Sequence, residues 1–325
     1  MNEILDFIRH PEWDVPFFKR LAHNDTGAAA GHQGGMVLPK DLRQFLPALS
    51  DSQTNAANPT ADRFLRAEMY SDTTFVADST IRYQIQTWGG TRTPESRITD
   101  GLSPIRISAQ ANDLLLFQRR ADALDRFRLV LVKQGSKAFR TLSPYVSNRR
   151  WGPLFSLELP MVQSEFAHAQ TEVSALSTKP FTLIDPSIPR IESRRQLVAR
   201  GAAFRAMVRA EYSLRCAVTG IMIQTPKGLP EVESAHVVPR TSGGPDDVRN
   251  GMAMTQTVHW AFDRGLLGIA ADRTVHVPQR VKTMPQNKFL AQYNGRSILE
   301  ARSRSMRVHA DALAWHRENK VRQWE

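Results

Sequence analysis

His236, Asn250, His259 and Asp263 are the residues of this chain whose types and spacing could do chemistry. His259 and Asp263 stand four positions apart in TQTVHWAFDRGLL, a stretch that reads as a helix, so both project from one helix face. An imidazole and a carboxylate placed that way can hold a divalent cation, and the hard oxygen donor suits magnesium or manganese. His236 lies outside this pair and is left to act as a base. An unperturbed imidazole titrates at about 6.5, so it can accept a proton from water near neutrality.

These residues need a scaffold, and the surrounding text predicts one. VESAHVV is a short β-rich run ending at Pro239, TSGGPDD is loop chemistry, and NGMAM is a second short run. The helix that follows has Thr255 or Thr257 as its predicted N-cap. The order is therefore strand, loop, strand, helix. The whole stretch from Cys216 to Gly268, including CAVTG, AHVVP and HWAFDRGLL, resembles the HNH nucleases and their ββα-metal finger. The resemblance implies that His236 is the general base that activates water. It implies that Asn250 fixes the loop and the orientation of His236, and that His259 binds the metal. Many HNH nucleases carry an acidic or second His ligand immediately before the base. Here that position is Ala235, so the second protein ligand is assigned to Asp263.

At 325 residues the chain is long enough for two cores. Lys and Arg number 43 against 32 Asp and Glu, leaving a net charge of +11, which points to a polyanionic partner and most simply to nucleic acid. The single cysteine, Cys216, cannot form an internal disulfide or build a zinc ribbon, so no structural zinc is expected and a cytoplasmic location fits. Cys216 reads as a small buried apolar residue beneath the finger. No apolar run approaches a membrane span, and MNEILDFIRHPEW lacks the pattern of a signal peptide.

The first half reads as antiparallel β-structure. TTFVAD, TIRYQIQTW, DLLLFQRR and RFRLVLVKQ are the predicted strands, PKDLRQFLPAL a short helix, and a closed or nearly closed barrel with one or two helices is expected. Within it, FFKRLAHNDTGAAAGHQGGMVLPKDL resembles the N-terminal DNA-recognition domain of the EcoRII restriction endonuclease, a DNA-binding pseudobarrel that grips the major groove with two arms. Asn24, Asp25, Thr26, Gly27, Ala28, Gly31, His32 and Gln33 carry the match, and Asn24, His32 and Gln33 are the candidate base-contacting residues of the first arm. GGTRTPESRITDG, residues 89–101, is the candidate second arm, with Arg92, Glu95 and Arg97 as its DNA-binding residues. An arginine fork fits O6 and N7 of guanine and a glutamate accepts from N4 of cytosine, which suggests a site containing G·C pairs. Lys19, Arg20, Lys133, Lys137 and Arg140 are candidate phosphate contacts.

LSTKPFTLIDPSIPRIES holds three prolines and no clear period, which places a domain boundary between residues 178 and 179. The expected fold class is α+β: a β-pseudobarrel with short helices over 1–178, then a ββα-metal finger with flanking helices over 179–325. RRQLVARGAAFRAMVRAEYSLRC reads as the helix leading into the finger, and the final ADALAWHRENKVRQWE as a helix in which His316 is structural. The leading reading is a magnesium-dependent type II restriction endonuclease, in which manganese could substitute, acting on double-stranded DNA. A palindromic site cut on both strands usually requires two active sites, which favours a homodimer, with sequential nicking by a monomer as the alternative. A modification-dependent nuclease, with Trp88 or Tyr83 stacking a flipped base, is the second reading. A DNA-binding regulator with an inactive nuclease fold is the third.

Overall fold

The computed structural model describes residues 3–10, 12–27, 35–49, 54, 57–88, 93–155, 159–185, 194–226 and 228–325. It divides into two compact units, Met1–Glu165 and Phe166–Glu325.

In the first unit, helix α1 (Glu3–Ile8) precedes strands β1 (Phe17–Arg20), β2 (Met36–Leu38), β3 (Thr60–Ser71), β4 (Thr74–Gln86) and β5 (Glu95–Asp100). Helix α2 (Ser103–Arg106), strands β6 (Leu114–Arg120) and β7 (Ala123–Val132), helix α3 (Lys137–Val146) and strand β8 (Trp151–Pro153) follow. The strands form one curled sheet in the order β2-β5-β4-β3-β7-β6-β1-β8. All neighbours are antiparallel except β3 and β7, which run parallel. The curled sheet is a half-barrel with β2 and β8 at its edges, consistent with the pseudobarrel expected from the sequence but more open than the closed or nearly closed barrel expected there.

The burial of β6 explains the architecture. Every residue of LLLFQRR is buried, so this strand is covered on both faces. Leu115 and Phe117 enter one core with Phe17, Leu65, Met69, Ile81, Tyr83, Phe127 and Leu129, the side the sheet curls around. Leu114 and Leu116 enter a second core with Phe18, Val130 and Val132, roofed by Ile4 and Ile8 of α1 and by Leu142 and Val146 of α3. Successive residues of a strand point to opposite faces, so a continuous apolar run feeds both cores.

Several sequence expectations are corrected here. TTFVAD and TIRYQIQTW are one strand, β4. Its partner β3 was not expected, because TADRFLRAEMYS is rich in helix formers; pairing with β4 and β7 overrides that preference. PKDLRQFLPAL contains a 3-10 helix over Lys40–Phe45. Tyr83 lies in the core at 2% exposure and cannot stack a flipped base. Lys19 is no phosphate contact: its ammonium is buried, pairs with Asp25 at 2.6 Å and donates to the Val37 carbonyl at 2.6 Å.

A buried ionic clamp closes this unit. Asp14 accepts from the amides of Val15 and Met161, 2.8 and 2.9 Å away, and pairs with Arg119 at 3.2 Å. The same guanidinium donates to the carbonyls of Phe45, at 3.0 Å, and Met161. Burial pushes the Asp14 carboxyl up to about 6 against the opposing pull of Arg119 and the two amides.

The second unit contains most of α4 (Gln163–Leu176), whose first turn holds the division between the units. Helix α5 (Arg194–Glu211) leads into a two-stranded sheet of β9 (Glu233–His236) and β10 (Gly251–Met254), and α6 (Gln256–Asp263) follows at once. A second small sheet pairs β11 (Gly268–Ile269) with β12 (Val275–His276), and a helix over Ala310–His316 lies near the C-terminal end. His316 is buried, stacked on Phe262 with centroids 3.6 Å apart, and its Nε2 bonds the Phe262 carbonyl at 2.9 Å. Burial lowers its pKa to about 4, so it is neutral and serves packing.

Asp14→Ala leaves the Arg119 charge buried without its partner, and removing one member of such a pair costs about 3–5 kcal/mol. Urea unfolding should show a loss of that size, whereas the same substitution at the exposed Asp41 should change stability by less than about 0.5 kcal/mol.

Candidate active site

The loop between β9 and β10 is organised by one buried amide. Asn250 is fully buried; its Oδ1 accepts from the Val238 amide at 2.9 Å, and its Nδ2 donates to the carbonyls of Val238 and Pro245, both at 3.0 Å. This ties the end of the loop to its beginning across twelve residues of sequence. Gly244 is required beneath it: a Cβ there would stand 1.8 Å from the Val238 carbonyl oxygen and 3.0 Å from Asn250 Nδ2. Val237 closes the turn by donating to the Asn250 carbonyl at 2.8 Å.

His236 ends β9 opposite Gly251. Its ring stacks on Phe204 of α5, centroids 4.0 Å apart and planes 17° apart. Gly251 leaves room for this arrangement, since a Cβ there would meet Phe204 and Val208 within 3 Å. Nε2 of His236 lies 2.9 Å from Oδ1 of Asp246, an acidic residue that sequence reasoning did not single out. Asp246 is nearly sealed from solvent and its other oxygen meets Arg240 Nη1 at 2.5 Å. Burial alone would raise its pKa. The hydrogen bond and charge of His236, with the charges of Arg240 and Arg200, outweigh burial and hold the carboxylate below its ordinary range.

His259 and Asp263 sit on α6 as the spacing predicts, with Nε2 of His259 3.6 Å from Asp263 Oδ2. On the other side of the ring, Nδ1 meets Glu233 Oε2 at 2.7 Å. Glu233 is the second acidic residue that sequence reasoning missed, and strand alternation could have found it. Positions 233 and 235 share a face of β9, so Glu233 puts a carboxylate on the face where Ala235 has none. Thr255 occupies the N-cap position, but its hydroxyl does not cap: it turns toward Cys216 Sγ, 4.0 Å away, and Glu231 accepts from the Gln256 amide at 2.8 Å instead. Cys216 is buried, as its composition context predicts.

The donor chemistry here fits a hard divalent cation. Among the described residues no three His, Cys, Asp or Glu side chains are arranged to enclose a metal. Magnesium does not require an enclosure, since it is commonly held by one or two protein groups, with water and substrate phosphates completing the shell. A carboxylate on one nitrogen of a His leaves the other nitrogen able to bind a metal, and here that other nitrogen faces the Asp263 carboxylate.

In the first unit, Asn24 is exposed on a 3-10 helix over His23–Asp25, and the backbone of that turn is held by Arg106, which donates to the carbonyls of Asp25 and Thr26. His32, Gln33 and Arg92 lie outside the described residues. Glu95 and Arg97 stand on β5 rather than on a loop, and the Arg97 guanidinium donates to Glu95 Oε2 at 2.7 and 3.0 Å. Arg97 is largely buried and lies over the Trp88 ring at 5.8 Å.

Two regions of the chain match known families. Residues 216–270 match the family described as HNH endonuclease, and residues 13–122 match the N-terminal domain of the restriction endonuclease EcoRII. The chain thus carries one region that matches an EcoRII-type N-terminal domain and a second that matches an HNH endonuclease. Among solved structures it is similar to one titled "Modification dependent TagI restriction endonuclease", at 18% identity and a TM-score of 0.30, over 68% of this chain and 58% of that one. The chain therefore spans less than two thirds of that protein's length. Among curated proteins none matches. Among the described residues no helix is long and apolar enough to cross a membrane.

Asn250→Ala strips partners from the buried Val238 amide and two carbonyls, and each buried group left unsatisfied costs about 1–3 kcal/mol. Thermal unfolding should show Asn250→Ala and Gly244→Ala both markedly destabilised. Gly201→Ala, inside α5 and near only the flexible end of Arg205, should be neutral or mildly stabilising.

Proposed function

We propose that this chain is a site-specific restriction endonuclease that binds double-stranded DNA through its N-terminal unit and hydrolyses phosphodiester bonds with its C-terminal unit. The observation that supports this best is the arrangement around one hairpin and one helix. His236 stands at the end of β9 beside a loop locked by Asn250, while His259 and Asp263 share a face of α6. His236 is the general base that takes a proton from water. His259 and Asp263 hold the divalent metal, magnesium or manganese, and Glu233 orients His259 from behind. When bound, the metal neutralises charge on the scissile phosphate and on the leaving 3′ oxygen.

Recognition falls to the first unit. Asn24, with His32 and Gln33 of the same arm, and Arg92 and Glu95 of the second arm, contact base edges. Arg97, whose fork is already given to Glu95, presents and steadies that carboxylate for a cytosine amino group. The target site therefore contains G·C pairs. The net charge of +11 supports a large phosphate-binding contribution. Cleavage of both strands of a symmetric site calls for a homodimer. Of the two aromatic residues offered for a flipped-base cage, Tyr83 is buried in the core, which favours direct readout over a modified-base reader.

Digestion of unmethylated and methylated copies of one plasmid with magnesium, followed by sequencing of the ends, tests this directly. Fragments with one recurrent end sequence from the unmethylated copy are expected. Cleavage of the methylated copy alone would replace this reading with modification dependence, and cleavage of neither would favour a DNA-binding regulator. His236→Ala should slow cleavage at least about a hundredfold while DNA affinity is kept. His259→Ala and Asp263→Ala should raise the magnesium concentration needed. In gel-shift competition, Glu95→Ala or Arg97→Ala should lose about 1–3 kcal/mol of discrimination at a G·C pair. Lys133→Ala should weaken all sequences alike.

A further inference from the structure

We propose that Asp246, braced by Arg240, is a positioning residue that fixes the proton of His236 on Nε2 and leaves Nδ1 as the atom that takes the proton from water. This rests on the reading of His236 as the base. Three contacts carry it. Asp246 Oδ1 lies 2.9 Å from His236 Nε2, and its Oδ2 is held by Arg240 Nη1 at 2.5 Å. The ring is stacked on Phe204 at 4.0 Å, so its plane is set by the stack and its rotation within that plane by Asp246. An ionised carboxylate only accepts hydrogen bonds, so the nitrogen facing it must carry the proton. In a neutral imidazole the other nitrogen is then the acceptor. Nδ1 has no partner among the described residues, and the ring keeps 19% of its side-chain surface open.

The placement of Asp246 also gives Asn250 a concrete task. Asn250 Nδ2 holds the carbonyl of Pro245, the residue immediately before Asp246. The Asp247 side chain, immediately after it, accepts from the Arg249 amide at 2.9 Å. The buried carboxylate is thus pinned through its backbone on both sides. A buried charge is costly, and here it is retained beside two cationic or potentially cationic partners rather than replaced by an apolar residue.

In the reaction, one O–H bond of water breaks and its proton passes to Nδ1. The electron pair left on oxygen forms the new bond to phosphorus. The P–O3′ bond breaks with its pair remaining on the 3′ oxygen. The ring, now carrying protons on both nitrogens, is positive and hydrogen-bonded to the Asp246 carboxylate, which stabilises the charge that forms.

The test uses the full chain. Asp246→Asn is close in shape, but its amide can donate to Nε2 and drive the ring proton onto Nδ1, where it blocks the base. Replacing the acid behind a catalytic histidine by its amide costs up to about ten-thousandfold in the serine-protease triad. Asp246→Asn should lower kcat by at least about a hundredfold while gel-shift affinity and melting temperature stay near those of the parent chain. Nitrogen-15 spectra of histidine-labelled protein should show His236, assigned by its loss in His236→Gln, as the Nε2–H form in the parent. Arg240→Gln should keep that form and lose less activity. Near-normal kcat in Asp246→Asn, or a parent His236 protonated on Nδ1, would overturn the proposal. If Asp246→Asn does not fold, the parent spectrum alone decides. Retained cleavage by His236→Gln would instead sink the assignment of the base, an outcome separate from the other two.

Discussion

The C-terminal unit depends on the satisfaction of one buried amide. An Asn side chain sealed from water must find partners for its oxygen and its NH2 group, or the folded state carries the full cost of their desolvation. Asn250 finds three, and all belong to the loop that it ends. A stretch containing Gly243, Gly244 and Pro245 would otherwise have wide conformational freedom at the glycines. With the amide in place it has one path, and that path brings Asp246 to the edge of the His236 ring. The same requirement explains Gly244, where any side chain would collide with the carbonyl that Asn250 holds.

The two histidines of the site follow a common rule with opposite atoms. His236 meets a carboxylate through Nε2, and His259 meets one through Nδ1. In the proposed reading each carboxylate fixes which ring nitrogen carries a proton and so which nitrogen is left to act. The environments differ in a way that suits the proposed roles. Asp246 is nearly sealed and doubly bonded, which holds the His236 ring rigidly and suits its proposed role as base. Asp263 is more open, which suits the proposed role of a ligand that shares its metal with water and substrate, and Glu233 supports His259 from its other nitrogen.

Much of this unit is legible in the sequence because its signals are local. The β9–loop–β10–α6 order follows from Pro239, the glycine-rich loop and the helix spacing of His259 and Asp263. Glu233 and Asp246 are less legible, since their meaning depends on which ring nitrogen they reach, and that is set in three dimensions. The N-terminal unit shows the opposite balance. Its resemblance to the EcoRII domain is carried by a short loop motif, whereas β3 reads as helix by composition and becomes strand through partners far along the chain. Arg97 illustrates a further limit: the sequence places an arginine near a turn, but only the fold shows it already engaged by Glu95.

The placement of β1 has a consequence for how the N-terminal unit is made. β1 lies between β6 and β8, pairing Phe17 with Phe117 on one side and with Pro153 on the other. A chain leaving the ribosome therefore carries its first strand for more than half of this unit's synthesis before either neighbour exists. The sheet cannot be completed until Pro153 has emerged, whereas the β3–β4 hairpin can zip at once from its own turn. Such long-range closure slows folding and leaves unpaired strand edges in the interim. The short length of β1, four residues with a charged end in Lys19 and Arg20, keeps that waiting edge a poor template for aggregation.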